Sequence, residues 1–133
     1  MITEDYVSFE TAKLLKEKGF NGDIASCYIL EDSTHHIMSD KVVQSEYYES
    51  QDSNEHGHLI QAPTLQMARK WLREIHDIDI MIWVENYNGI KQYISDCWKN
   101  VTQINSNFHR CGRFSSYNEA CEVAIKYCLE NLI

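Results

Sequence analysis

The residue types best able to do chemistry are six histidines and five cysteines, many for a chain of 133 residues. His56 and His58 stand two apart, so on an extended strand both rings would point the same way, and imidazole pairs at that spacing can bind a metal ion. His109 and Cys111 repeat the spacing. A closed zinc centre needs four ligands, and the chain has no Cys-x-x-Cys or His-Glu-x-x-His run to supply them. His56, His58, His109 and Cys111 are therefore only candidates for a metal, set against the plainer expectation of solvated histidines on polar loops. His109 and Cys111 are also the one close Cys–His pair available for nucleophilic catalysis. Side chains at i and i+2 seldom give the base-to-thiol geometry that lowers a thiol pKa. No Gly-x-Ser-x-Gly elbow is present. The five glycines (Gly19, Gly22, Gly57, Gly89, Gly112) are isolated, so no phosphate cradle is expected and no cofactor is assigned. Arg69, Lys70 and Arg73 read as the wet face of an amphipathic helix, and Arg110 and Arg113 as solvated charges. On these residues an enzyme is the weaker expectation, and no catalytic residue is named.

Twenty acids against twelve lysines and arginines give a net charge of −8. That weighs against direct nucleic-acid binding, whose usual footprint is a basic face. The charge is unevenly spread. Residues 31–62 hold seven acids and one lysine, a local charge of −6, with four of the histidines (His35, His36, His56, His58). Residues 63–133 hold eight acids and eight bases and are balanced. An acidic segment of this kind suggests either a variable insert or a decoy that offers DNA-like charge to a nucleic-acid-handling protein. The cysteines, at 27, 97, 111, 121 and 128, are odd in number and form no Cys-x-x-Cys. No basic-then-apolar leader is visible at Met1–Asp5, so the reading is cytoplasmic, with the thiols as small packing residues. No apolar run approaches the roughly 18 residues of a membrane helix, and no membrane partner is expected.

The elements that would position these residues can be read from capping and periodicity. Ser8 caps a helix over 9–18 whose apolar stripe is Phe9, Ala12 and Leu15, and Gly19 with Phe20 form its stop. Residues 25–30 alternate as a strand. The middle segment, 31–62, holds a wholly polar stretch at 50–54 and admits only short strands or a helical turn. Pro63 and Thr64 open a helix whose face is Leu65, Ala68, Trp71, Leu72 and Ile75, ended at Asp77. Residues 79–86 and 90–98 are strands joined at Asn88-Gly89, a strong two-residue hairpin signal. Residues 99–113 read as loop with a short strand around Phe108. Ser116 and Glu119 then make a capping box for a closing helix to about Asn131, with Cys121, Ala124, Ile125, Cys128 and Leu132 buried.

The hairpin register has a consequence. With Asn88 and Gly89 central in the turn, Val84 faces Tyr93, Ile82 faces Ser95 and Ile80 faces Cys97. The face with Ile80, Ile82, Val84, Tyr93 and Cys97 is assigned to a helix-packed core. The opposite face carries Met81, Trp83, Ile94 and Trp98 among Asp79, Glu85, Gln92 and Asp96. It is too apolar for plain solvent and too charged for a deep core. It is expected either to be partly covered by the middle segment or to be a partner or self-association surface, the latter because Trp is favoured at binding hot spots. A homodimer or another protein partner fits that surface.

The run from Ala62 to Glu74 (Ala-Pro-Thr, then Trp-Leu-Arg-Glu) and the later Ser116-Tyr117-Asn118-Glu119-Ala120 resemble a pattern in small uncharacterised proteins of Bacteroides-type bacteria and their phages or prophages. Tyr6 to Phe20 is similar to the first helix of that family. The resemblance covers about two-thirds of the chain and consists of helix caps and core positions. It implies a fold and a bacterial or mobile-element origin, and it assigns no chemistry.

The expected architecture is α+β in a single domain, 1–133: a three- or four-stranded, mainly antiparallel sheet packed by three helices, with 31–62 as an acidic, histidine-containing insert. The expected function is that of a small non-enzymatic interaction protein of phage or mobile-element origin. The acidic decoy, and a small metal-binding protein or enzyme using the histidines, are the alternatives.

Overall fold

The computed structural model describes residues 2–21, 27–31, 34–38 and 59–133. In chain order the described elements are α1 (Phe9–Glu17), β1 (Cys27–Glu31), β2 (Thr34–Met38), β3 (Leu59–Gln61), α2 (Leu65–His76), β4 (Ile78–Tyr87), β5 (Ile90–Lys99), β6 (Asn107–Phe114) and α3 (Tyr117–Asn131). The fold is α+β and its strand pairings are antiparallel, as the sequence predicts. The described strands form two sheets, in the orders β2-β1-β3 and β4-β5-β6. They divide between two compact units, Tyr6–Thr64 and Leu65–Ile133 together with Met1–Asp5. No helix among the described residues is long and apolar enough to cross a membrane.

In the unit Tyr6–Thr64, α1 is bounded by local chemistry. The Ser8 hydroxyl accepts from the Thr11 N–H at 3.3 Å, filling one of the donors a helix start leaves unpaired. At the other end Gly19 takes φ +92°, and the N–H groups of Phe20 and Gly19 return to the carbonyls of Leu15 and Lys16. That paired return is the Schellman motif, and it favours glycine at the left-handed position. Val7, Thr11, Ala12, Leu15 and Phe20 are buried together with Ile60 and Ala62. β3, which carries Ile60, runs beside α1 and pairs with β1. Within the acidic segment, β2 sets His36 opposite Ile29 and His35 opposite Leu30. His56, His58 and most of the segment's acids lie outside the described residues.

The second unit carries the sheet β4-β5-β6 with α2 and α3. The α2 stripe buries Leu65, Ala68 and Leu72, whereas Ile75, expected on that face, is exposed in the last turn. There the chain reverses at Asp77, which takes φ +53° and leads directly into β4. The β4–β5 register is the one the sequence predicts, from Tyr87 opposite Ile90 to Ile78 opposite Lys99. Asn88 and Gly89 both have positive φ, +51° and +84°, the backbone a type I′ turn requires. α3 starts at Ser116, whose hydroxyl accepts from the Glu119 N–H at 3.1 Å. It buries Ala120, Cys121, Ala124, Ile125, Cys128 and Leu129. Each large aliphatic side chain so buried contributes about 1.5–3 kcal/mol.

Two expectations for this unit need correction. Residues 107–114 form a full third strand, not the loop with only a short strand around Phe108, and pair with β5 across a bulge between Ser95 and Asp96. Val84, expected in the core, is exposed, and Ile82 and Tyr93 are only half-buried. The reason is length. Ten residues of strand extend about 33 Å, whereas the fifteen residues of α3 reach about 22 Å. The hairpin tip therefore projects past the helices.

Candidate functional site

The face of β4-β5-β6 away from Ile80 and Cys97 carries the expected partner residues Met81, Trp83, Ile94 and Trp98, and the register places all four on it. β6 adds Phe108 opposite Trp98, Arg110 opposite Asp96 and Arg113 opposite Ile94. The burial is graded. Ile94 is buried, Met81 and Trp98 are half-buried, and Trp83 and Phe108 are about half exposed.

At the centre stands Asp96, which is only 2% exposed. A carboxylate so deep has to be paired or hydrogen-bonded. The Trp83 indole N–H donates to its Oδ2 at 2.8 Å. Arg110 donates through Nε to Oδ1 at 2.9 Å and through a terminal nitrogen to Oδ2 at 3.2 Å. Trp83 reaches Asp96 diagonally across the β4–β5 pair, and Arg110 reaches it directly across the β5–β6 pair. One buried carboxylate thus fixes an exposed indole and an exposed guanidinium from the two outer strands. A second ion pair joins Arg113 Nε to Glu85 Oε2 at 3.0 Å, and the Arg113 guanidinium lies over the Tyr87 ring. Trp98 packs edge-on against Phe108, with ring centroids 5.5 Å apart. Its indole N–H is buried and finds no acceptor among the described residues.

The opposite face takes α3. Tyr93 meets Tyr117 edge-on, and the His109 imidazole stacks on the Tyr127 ring at 3.8 Å and 7°. Arg69 of α2 donates to the Tyr117 hydroxyl and to the Ile80 carbonyl. Lys99 donates to the Leu132 carbonyl. His76 packs edge-on against Trp71. Burial, and after it the Lys99 charge, lowers the His76 pKa below its ordinary value.

His109 and Cys111 share this face but do not act on each other. The bulge turns Cys111 towards Cys97, with the two sulfurs 3.3 Å apart, while His109 is spent on Tyr127. The Cys111 thiol is pushed up, first by its contact with Cys97 and then by burial, which is the reverse of an activated nucleophile. For Cys97 the contact with Cys111 pulls down, but Cys128 and burial outweigh it and the thiol also ends raised. Burial raises Cys121 to about 11. Among the described residues no group of three or more His, Cys, Asp or Glu is arranged to hold a metal ion. A shallow depression of about 250 Å³ at the hairpin tip is lined by Val84, Glu85, Asn86, Gly89 and Lys91. It gathers no catalytic set.

Sequence reasoning located Trp83 and Trp98 on the outer face, did not place Phe108 there and missed what holds them. Asp96 read as one more charge on a mixed face, and Arg110 and Arg113 as solvated residues beside a cysteine. The available signal was the alternation Ile94-x-Asp96-x-Trp98, which puts an acid between two large apolar side chains. Compared with protein-family models, curated proteins and solved structures, the chain matches none.

Proposed function

We propose that this chain is a non-enzymatic interaction protein, of the mobile-element origin its resemblance implies, and that it docks a protein partner on the outer face of β4-β5-β6. The observation that carries this reading is the fixing of Trp83 and Arg110 by the buried Asp96. Trp, Tyr and Arg dominate binding hot spots, and holding them in place beforehand removes part of the ordering cost of association. The partner it suits presents carboxylates beside apolar side chains. Arg110 and Arg113 stay more than half exposed, and Arg110 spends only part of its donors on Asp96. A nucleic-acid strand suits the face less well, because Asp79 and Glu85 add carboxylates to it that repel phosphates.

The test compares the wild-type chain with Trp83→Ala and Arg110→Glu. Each is used to capture proteins from bacterial lysate, and the candidate partner is then purified and titrated. A partner that loses tenfold or more in affinity for both variants supports the proposal. A chain whose only association is with itself, weakened by the same substitutions, replaces the partner with a second copy. Binding that ignores both substitutions and fades steeply with salt would favour the acidic decoy instead.

A further inference from the structure

We propose that Cys97 and Cys111 are a reversible disulfide site that staples β5 to β6 across the bulge. This rests on neither the partner surface nor any catalytic role. The two sulfurs stand 3.3 Å apart, and a disulfide needs them at about 2.05 Å, so a small movement joins them. Their place in the sheet explains the approach. Cys97 pairs directly with His109, and the register shift makes Cys111 the extra residue of β6, opposite neither Ser95 nor Asp96. The backbone bends there at Gly112, where φ is +136° and a Cβ would meet the Phe114 ring at 3.4 Å. The bulge thus aims a side chain across the strand pair, as bulges commonly do.

The two thiols have separate parts in the reaction. Cys97 is fully buried and its thiol also touches the Ala124 carbonyl at 3.6 Å. Cys111 is half-buried and is the one a reagent reaches first. The co-reactant is a low-molecular-weight disulfide. The Cys111 sulfur, as thiolate, attacks one sulfur of the reagent, and the other half leaves as a thiolate that takes up a proton. Cys97 then loses its proton, attacks the Cys111 sulfur and expels the second half of the reagent. Two protein thiols are oxidised to one disulfide, and one small disulfide is reduced to two thiols. The Cys111 thiol is held protonated by its contact with Cys97 and by burial, and Cys97 by Cys128 and burial against the downward pull of Cys111, so the first step is slow at neutral pH and quickens as pH rises. Cys121 and Cys128 also face the core and are fully buried, so neither offers a reagent the access that Cys111 has.

The test equilibrates the full chain in buffers of reduced and oxidised glutathione, blocks free thiols with a maleimide and maps the peptides by mass spectrometry. The expected result is a cross-linked pair of peptides bearing Cys97 and Cys111, lighter by two hydrogens, that disappears on reduction. The Cys111→Ser variant should lose the cross-link and leave Cys97 free to the maleimide after unfolding. The Cys121→Ser variant should keep it. A cross-link of Cys97 to Cys128, or both Cys97 and Cys111 recovered as free thiols under the most oxidising buffer, would overturn the proposal. The wild-type map alone gives that answer if either variant fails to fold.

Discussion

The hydrogen bond from Trp83 to Asp96 can be weighed separately from everything else these side chains touch. A double-mutant cycle with Trp83→Phe and Asp96→Ala does so, because cavity and area effects of each single change cancel in the difference. A hydrogen bond to a charged acceptor contributes about 1.5–3 kcal/mol to stability. Here the distance is 2.8 Å and the acceptor is buried, but Trp83 is 53% exposed. Water therefore competes for the indole N–H in the single mutant, and the coupling should fall to about 1 kcal/mol. The assay is urea denaturation followed by far-ultraviolet circular dichroism, since removing an indole alters the fluorescence baseline. Trp83→Phe should destabilise the wild type and have a smaller effect in the Asp96→Ala background. If the two changes add within about 0.3–0.5 kcal/mol, the carboxylate does not hold the indole, and the argument for a prearranged surface fails with it.

The remaining expectations concern the elements behind that surface. His76 has a folded-state pKa below its unfolded value of about 6.5, so the folded protein binds fewer protons there than the unfolded chain. Its contribution is intact above the unfolded pKa and is lost as pH falls through the folded one, so His76→Gln should flatten the acid side of the stability profile, measured as melting temperature against pH. Ser116→Ala removes the cap of α3 and should lower unfolding free energy by about 1 kcal/mol in denaturant titration; Ser116→Asn should restore most of it. Gly112→Val places a β-branched side chain at φ +136° against the Phe114 ring and should destabilise by about 1–3 kcal/mol, with loss of amide protection in β6 by hydrogen exchange.

Much of the fold was legible because its signals are local. Ser8, Gly19, Asn88-Gly89 and Ser116 each act within a turn of chain, and the structure uses each as its chemistry suggests. The hairpin register follows from two turn residues and fixes ten cross-strand pairs. β6 was legible only as a short strand around Phe108, because Gly112 interrupts its alternation and Arg110, His109 and Arg113 give it a polar reading. The bulge absorbs the extra residue, and that compensation is visible only once β5 lies beside it. The site behaved likewise. Trp83 and Trp98 could be placed by period-two alternation, whereas the Asp96–Arg110 pair joins residues fourteen apart through a register no local pattern specifies.

The placement of Asp96 bears on why the outer face exists. Burying a carboxylate is costly, and its ion pairs commonly do no better for stability than well-packed apolar side chains of similar volume. A sheet selected only for stability would put a Val or Ile between Ile94 and Trp98 and let the surrounding rings close over it. Instead the position draws an indole and a guanidinium into one arrangement while leaving both in contact with solvent. The Trp83 ring then cannot fold down into the sheet without abandoning its acceptor, and Arg110 cannot swing free without leaving a buried charge unpaired. A monomer gains little from holding exposed aromatic and cationic groups still. A surface that must meet the same partner geometry repeatedly does gain, because less freedom is lost on contact. On the proposed reading the buried acid serves recognition more than folding, and the double-mutant cycle measures the bond on which that proposal depends.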